Sequence, residues 1–108
     1  MTAVPQFDPL IHAPGRLQIC AILSAADEAE FAMVREAIAV SDSVLSKHLK
    51  QLEEAGYIKL RKQAHAGRQR TWLALTSAGH KAFAAHVAEL QRLAGMVAPA
   101  PLGQGFSG

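Results

Sequence analysis

The chain has 108 residues, enough for one small domain, and its single cysteine, Cys20, excludes an intrachain disulfide and fits a reducing cytoplasm. Half of the residues are apolar but only 6% are aromatic, so the core must be built from Leu, Ile, Val and Ala, as suits packed helices. The net charge is +2, no apolar run approaches the ~20 residues of a membrane span, and Met1 to Pro9 lacks the basic-then-apolar order of a secretory signal; a soluble, cytoplasmic protein without a membrane partner is expected.

Pro5, Pro9 and Pro14 limit regular structure at the start, so residues 1–9 are expected as a flexible arm, with Phe7 to His12 a short extended or turn-like lead-in. Pro14 suits a first helical turn, where its missing N–H would be unpaired anyway. Leu17, Ile19, Cys20, Ile22 and Leu23 then predict an apolar first helix ending near Ala25–Ala26. Within it, Cys20 reads as a buried small apolar residue, and Arg16 as one half of a structural ion pair with an acidic residue of the N-terminal half. Asp27-Glu28 makes a surface turn, Glu30-Phe31-Ala32 opens with a strand-like step, and Met33, Val34, Ala37 and Ile38 form a second helix that stops before Ser41.

Ser41 is a good N-cap, its hydroxyl able to accept an unpaired backbone N–H. Leu45, Leu49 and Leu52 recur at i, i+4 and i+7, one face of a 3.6-residue period, which predicts a third helix over 41–55 with Ala55-Gly56 as its exit. At ~100° per residue, Ser43, Ser46, Lys47 and Lys50 fall on the opposite face. Tyr57-Ile58-Lys59-Leu60-Arg61 alternates with period two, as Thr71 to Leu75 does less cleanly, so a hairpin spans 58–76. Lys62 to Gln69 supplies its tip, with Ala66-Gly67 as the bend, and Trp72 is expected on the exposed face or covering a neighbour. Thr76-Ser77 caps a last helix over 76–97, in which Phe83, Val87, Leu90, Ala94 and Val97 step by 4-3-4-3 as an apolar seam. Residues 98–108, rich in Pro, Gly and Ala, are expected to be a disordered tail after a domain of 10–97. The fold class is mainly α with a small β hairpin (α+β): a winged helix-turn-helix with an added C-terminal dimerisation helix.

The charge is unevenly spread. Residues 1–40 hold two cations against five carboxylates, whereas residues 41–72 hold seven cations against three, a local balance of +4. Such a segment can meet phosphates. On the third helix, Ser43, Ser46, Lys47 and Lys50 are the candidates for base edges and phosphates, and on the hairpin Arg61, Lys62, His65, Arg68 and Arg70 are the candidates for backbone or minor-groove contact. Asp42 favours the dipole at the helix start, and is compatible with either repelling phosphate or accepting from cytosine N4.

Other chemistry finds little support. His12, His48, His65, His80 and His86 are scattered, with neither a Cys-x-Cys nor a His-x-x-x-His pair, so no metal and no cofactor is expected; His48 reads as a packed or hydrogen-bonded side chain. A Gly-x-Ser-x-Gly elbow, a phosphate-binding glycine loop and a paired acid signature are all lacking, which argues against an enzyme.

The spacing Ser41-x-x-x-x-Ser46-x-x-Leu49-x-x-Leu52-x-x-Ala55-Gly56-Tyr57-Ile58, followed by Gly67-Arg68 and Leu75-Thr76-x-x-Gly79, resembles small single-domain winged helix-turn-helix regulators of the MarR/ArsR type. The lead-in Ile11-His12-x-x-x-Arg16-Leu17-x-Ile19 is similar to ArsR-type starts, and the matching segments reach from about residue 10 to 92. The resemblance implies a homodimeric DNA-binding transcription regulator, a repressor, with the third helix in the major groove and the wing on flanking DNA. Two departures are visible: Ala66 stands where MarR proteins often carry Asp, and the chain has less material for a ligand pocket. The expected partners are double-stranded DNA with a palindromic operator, a second copy held through Phe83, Val87, Leu90 and Ala94, and an unidentified small-molecule effector by family analogy alone. The competing reading is a winged helix used for protein–protein interaction without DNA binding.

Overall fold

The computed structural model describes residues 7–97. Its elements run α1 (Pro9–His12), α2 (Pro14–Ser24), β1 (Ala29–Glu30), α3 (Phe31–Ile38), α4 (Asp42–Glu54), β2 (Ile58–His65), β3 (Arg68–Leu75) and α5 (Ser77–Val97). The three strands form one antiparallel sheet in the order β1-β3-β2. Among the described residues no helix is long and apolar enough to cross a membrane.

The core follows from the apolar periodicities. Ile19, Cys20 and Leu23 of α2, Val34 and Ile38 of α3, Leu45, Leu49 and Leu52 of α4, and Ile58, Leu73 and Leu75 of the sheet pack as one buried cluster with Ile11 and Ala29. Burial of a leucine of this kind stabilises the fold by roughly 1.5–3 kcal/mol. Cys20 lies fully inside, and burial, with the nearby Asp8 carboxylate, pushes its thiol up to about 11, so it is not a thiolate.

Backbone chemistry places α4. At the end of α3, Ala39 adopts φ 56°, and its N–H and that of Val40 return to the carbonyls of Glu36 and Arg35. That paired closure ends α3 in a left-handed residue, here alanine rather than the usual glycine, and turns the chain into Ser41. Ser41 Oγ accepts the Val44 N–H at 3.2 Å, as the capping pattern predicts. The same closure ends α4: the N–H groups of Gly56 and Tyr57 bond to Glu53 and Leu52. Gly79, in the first turn of α5, allows a close crossing, since a Cβ there would stand 2.0 Å from the Tyr57 carbonyl oxygen.

Two expectations are corrected, the acidic partner of Arg16 and the scatter of the histidines. Phe7 to His12 takes the turn-like of its two expected forms: Pro9–His12 is one helical turn, capped by Asp8 Oδ1 on the N–H groups of Leu10 and Ile11. Asp8 also accepts the Tyr57 hydroxyl at 2.7 Å and gives its own N–H to His86, so the chain is tied down before residue 10; residues 1–6 of the expected arm and the tail 98–108 lie outside the described residues. Arg16 has no acidic partner among the described residues; its guanidinium bonds the Leu10 carbonyl and Gln51 Oε1 and approaches His48, which joins α1, α2 and α4. The hairpin bends at Ala66-Gly67 as expected, and β2 and β3 stay in register out to His65 and Arg68, so the bend is a two-residue turn. Both turn residues have positive φ (52° and 77°), the mirror-image turn whose twist matches the strands.

Within one copy α5 buries Gly79, His86 and Glu89, leaving Phe83, Val87 and Leu90 half-buried and Ala94 exposed. The second correction concerns the histidines. His12 and His86, expected apart, meet at 3.2 Å between Nδ1 and Nε2, with Phe7 on both rings. His86 Nδ1 accepts the Asp8 N–H at 3.0 Å, so its proton sits on Nε2 and the ring is neutral. Burial, then the neighbouring His12, holds His86 below its ordinary pKa, against the opposing pull of Asp8.

Candidate nucleic-acid interface

The outer side of α4 carries Ser43, Ser46, Lys47 and Lys50, all exposed, opposite the buried leucines. Among the described residues neither lysine forms an ion pair, so their charges are available to an outside anion. Ser43 Oγ lies 3.2 Å from Ser41 Oγ, beside the cap. The Asp42 carboxylate, which would oppose a phosphate at this end, is held by Arg35 at 3.0 Å. Glu53 and Glu54 sit at the far end. The helix thus presents hydroxyls and ammonium groups from its first three turns, with the one carboxylate there, Asp42, neutralised by Arg35, and its carboxylates that lack an ion pair among the described residues at the last.

The wing projects beyond the core, and strand alternation divides its cations between two faces. Lys62 continues the face of Leu60 and Leu73, whereas Arg61, His65, Arg68 and Arg70 share the opposite face with Gln63 and Trp72. The five expected wing residues therefore do not point one way. They also differ in freedom. Arg61 is clamped by Glu28 through Nε and Nη2 at 3.0 and 2.8 Å, bonds Gln63 Oε1, and lies 5.8 Å over the Trp72 ring. That hydrogen-bonded pair lowers the Glu28 pKa and raises that of Arg61. Trp72 is on the outer face of the wing, the first of the two placements expected for it, and is half-buried because the guanidinium lies over its ring. Arg70 stands 3.6 Å from Glu30. Lys62, mid-wing between the rungs of Arg70 and Arg61, and His65 and Arg68, beside the turn, are exposed and without an ion pair among the described residues. Of the expected wing lysine and arginines, Arg68 at the turn and Lys62 on the opposite face are thus unpaired among the described residues, while Arg61 and Arg70 tie the wing to Glu28 and Glu30.

Sequence reasoning missed Glu28 as the partner of Arg61, thirty-three residues away. It also missed the exposure of Val44 in the first turn of α4, for which its place off the leucine stripe was the available signal. Two hollows flank the wing, one of about 170 Å³ lined by Gln63, His65, Arg70 and Trp72, the other of about 220 Å³ lined by Glu30, Phe31, Ala32, Gln69, Arg70 and Thr71. Both fall short of the roughly 300–1,000 Å³ usual for a small-molecule site. No group of three or more His, Cys, Asp or Glu among the described residues is arranged to hold a metal ion.

A family model described as a winged helix DNA-binding domain matches residues 16–94. An uncharacterized protein of Methanocaldococcus jannaschii is 33% identical over 78 residues, which cover 72% of this chain and 85% of that protein. Among solved structures, a transcriptional regulator homologue from Pyrococcus horikoshii superposes with a TM-score of 0.77 at 24% identity, over 82% of this chain and 88% of that one. The heme sensor protein PefR from Streptococcus agalactiae, solved with heme, gives a TM-score of 0.72 at 20% identity, over 85% of this chain and 64% of that one. At these identities the two structures speak to the shared fold.

Proposed function

Since the chain belongs to the winged helix DNA-binding domain family, we propose that it is a dimeric, sequence-specific transcriptional regulator of the cytoplasm that binds double-stranded DNA and acts without catalysis. The observation that carries this reading is the uncovered outer face of α4, where Ser43, Ser46, Lys47 and Lys50 are all exposed and both lysines lack an ion pair among the described residues. In the proposed complex α4 enters the major groove, where serine hydroxyls and lysine ammonium groups meet base edges and flanking phosphates. His65 and Arg68 at the end of the wing, with Lys62 midway along it, follow the adjacent backbone or minor groove, while Arg61 and Arg70 hold the wing to Glu28 and Glu30 and reach DNA only by releasing those carboxylates. The repressor sense rests on the resemblance to MarR/ArsR repressors.

Dimerisation is proposed through α5, by Val87, Leu90 and Ala94 with the exposed side of Phe83. Support comes from the end of the helix, where Leu93, Met96 and Val97 are 39%, 68% and 80% exposed, an apolar group that continues the proposed contact and marks an interaction surface. Two copies would set their α4 helices about one DNA turn, ~34 Å, apart on a palindromic operator. Selection of bound duplexes from a random pool by the purified chain, with sedimentation at the same concentration, tests both halves. A palindromic consensus bound by a dimer is expected. A chain that retains no duplex, and leaves heparin in a way indifferent to salt, returns the protein-interaction reading.

A further inference from the structure

Six large apolar side chains among the described residues are more than a third exposed. Leu93, Met96 and Val97 lie at the end of α5, Phe7 covers the rings of His12 and His86, and Met33 is on α3. Val44 stands apart from these, because it belongs to the first turn of α4, the helix that carries Ser43, Ser46, Lys47 and Lys50, and is 43% exposed.

Neither helix formation nor the core accounts for a valine there. β-Branched residues are among the weaker helix formers, and the Leu45–Leu49–Leu52 face closes without it. Its place is nonetheless fixed. The Val44 N–H is held by Ser41 Oγ, the Asp42 carboxylate next to it is occupied by Arg35, and Lys47 follows at i+3 on the same side of the helix. A valine in a helix has one strongly preferred χ1 rotamer, so its two methyl groups form a stiff apolar knob on the flank of the helix that also carries Lys47. In the major groove the complement of such a knob is the C5-methyl group of thymine, which lends itself to apolar rather than hydrogen-bonded readout.

We infer that Val44 is a specificity-determining residue that packs against a thymine methyl in each half-site. The inference rests on the DNA-binding reading above and adds to it a base preference at one position. A duplex selected from a random pool by the wild-type chain is resynthesised with each thymine replaced in turn by deoxyuridine, which lacks only the methyl group. Affinity is then measured by fluorescence anisotropy for the wild type and Val44→Ala. For the wild type, one thymine per half-site should show a loss of about fourfold on replacement, the worth of one buried methyl group. Val44→Ala should lose that preference while keeping the salt dependence and the thermal midpoint of the wild type. Indifference of the wild type to every replacement, or an unchanged preference in Val44→Ala, overturns the inference and leaves DNA binding standing. A wild type that retains no duplex at all overturns the DNA-binding reading and the inference with it.

Discussion

Replacing Lys47 and Lys50 together with Gln removes two charges from the outer face of α4 and almost nothing else. Both side chains are exposed and neither is in an ion pair among the described residues, so the folded state should lose little: surface changes of this kind stay within about 0.5 kcal/mol. The effect on DNA should be large. Each phosphate neutralised releases counterions and contributes about −0.9 to the slope of log K against log salt. Two lysines on each protomer make four in a dimer, so the slope should become shallower by about 3.6. Between 50 and 200 mM salt that difference amounts to about a 150-fold smaller loss of affinity for the variant than for the wild type. Fluorescence anisotropy across that range, with thermal unfolding as the control, measures both quantities. A slope within about one of the wild type, in a variant that still folds, would refute the placement of these lysines on phosphates.

The wing should divide in the same assay: Arg68→Gln should make the slope shallower by about 1.8 per dimer, whereas Arg61→Gln, whose charge is already held by Glu28, should change it much less and instead free Trp72, seen as altered tryptophan fluorescence. Equal slope changes would contradict the division into brace and tip. Gly79→Ala places a Cβ 2.0 Å from the Tyr57 carbonyl oxygen and should cost about 3 kcal/mol, as overpacking against backbone does, lowering the thermal midpoint by more than 10 °C. The acid side of the stability curve should report on His86, which is neutral in the fold and held below the ordinary 6.5. The unfolded chain takes up a proton there before the folded one does, so this contribution is complete above pH ~7.5 and is lost as pH falls below 6.5 toward the folded value. His86→Gln should flatten that decline, and an unchanged slope of stability between pH 7 and 5 would count against a neutral His86.

Local sequence made the third helix legible because every signal agreed: the Ser41 cap, the leucine period and the glycine exit all act within a turn or two of the residues they organise. The same holds for the strand cores around Leu60 and Leu73. The outer wing was hidden because its strands are solvated on both faces, so no apolar alternation marks them, and the turn uses Ala66 where a stronger signal would be Asn. The one-turn helix before Pro14 did have a signal, Asp8 followed by Pro9 at the first helical position, which the density of prolines masked. Long-range pairings leave no local trace: Arg61 with Glu28, Arg16 with Gln51 and His12 with His86 are separated by 33, 35 and 74 residues. The last of these also explains the face of α5. A heptad reading scores histidine as polar, yet His86 is the fully buried residue there, and its neutral ring turns the helix toward α1.

The central claim, that the Ser43–Lys50 face lies in the major groove, is tested most directly by photocrosslinking from within it. Ser46→Cys adds one exposed thiol to a chain whose own Cys20 is buried with its thiol pushed up to about 11, so a photoactivatable reagent is directed to position 46. Irradiation on a selected duplex should join the probe to major-groove bases at two places about one helical turn, ~34 Å, apart. Crosslinks to a second copy of the chain, or none to DNA at a concentration that saturates binding, would contradict it.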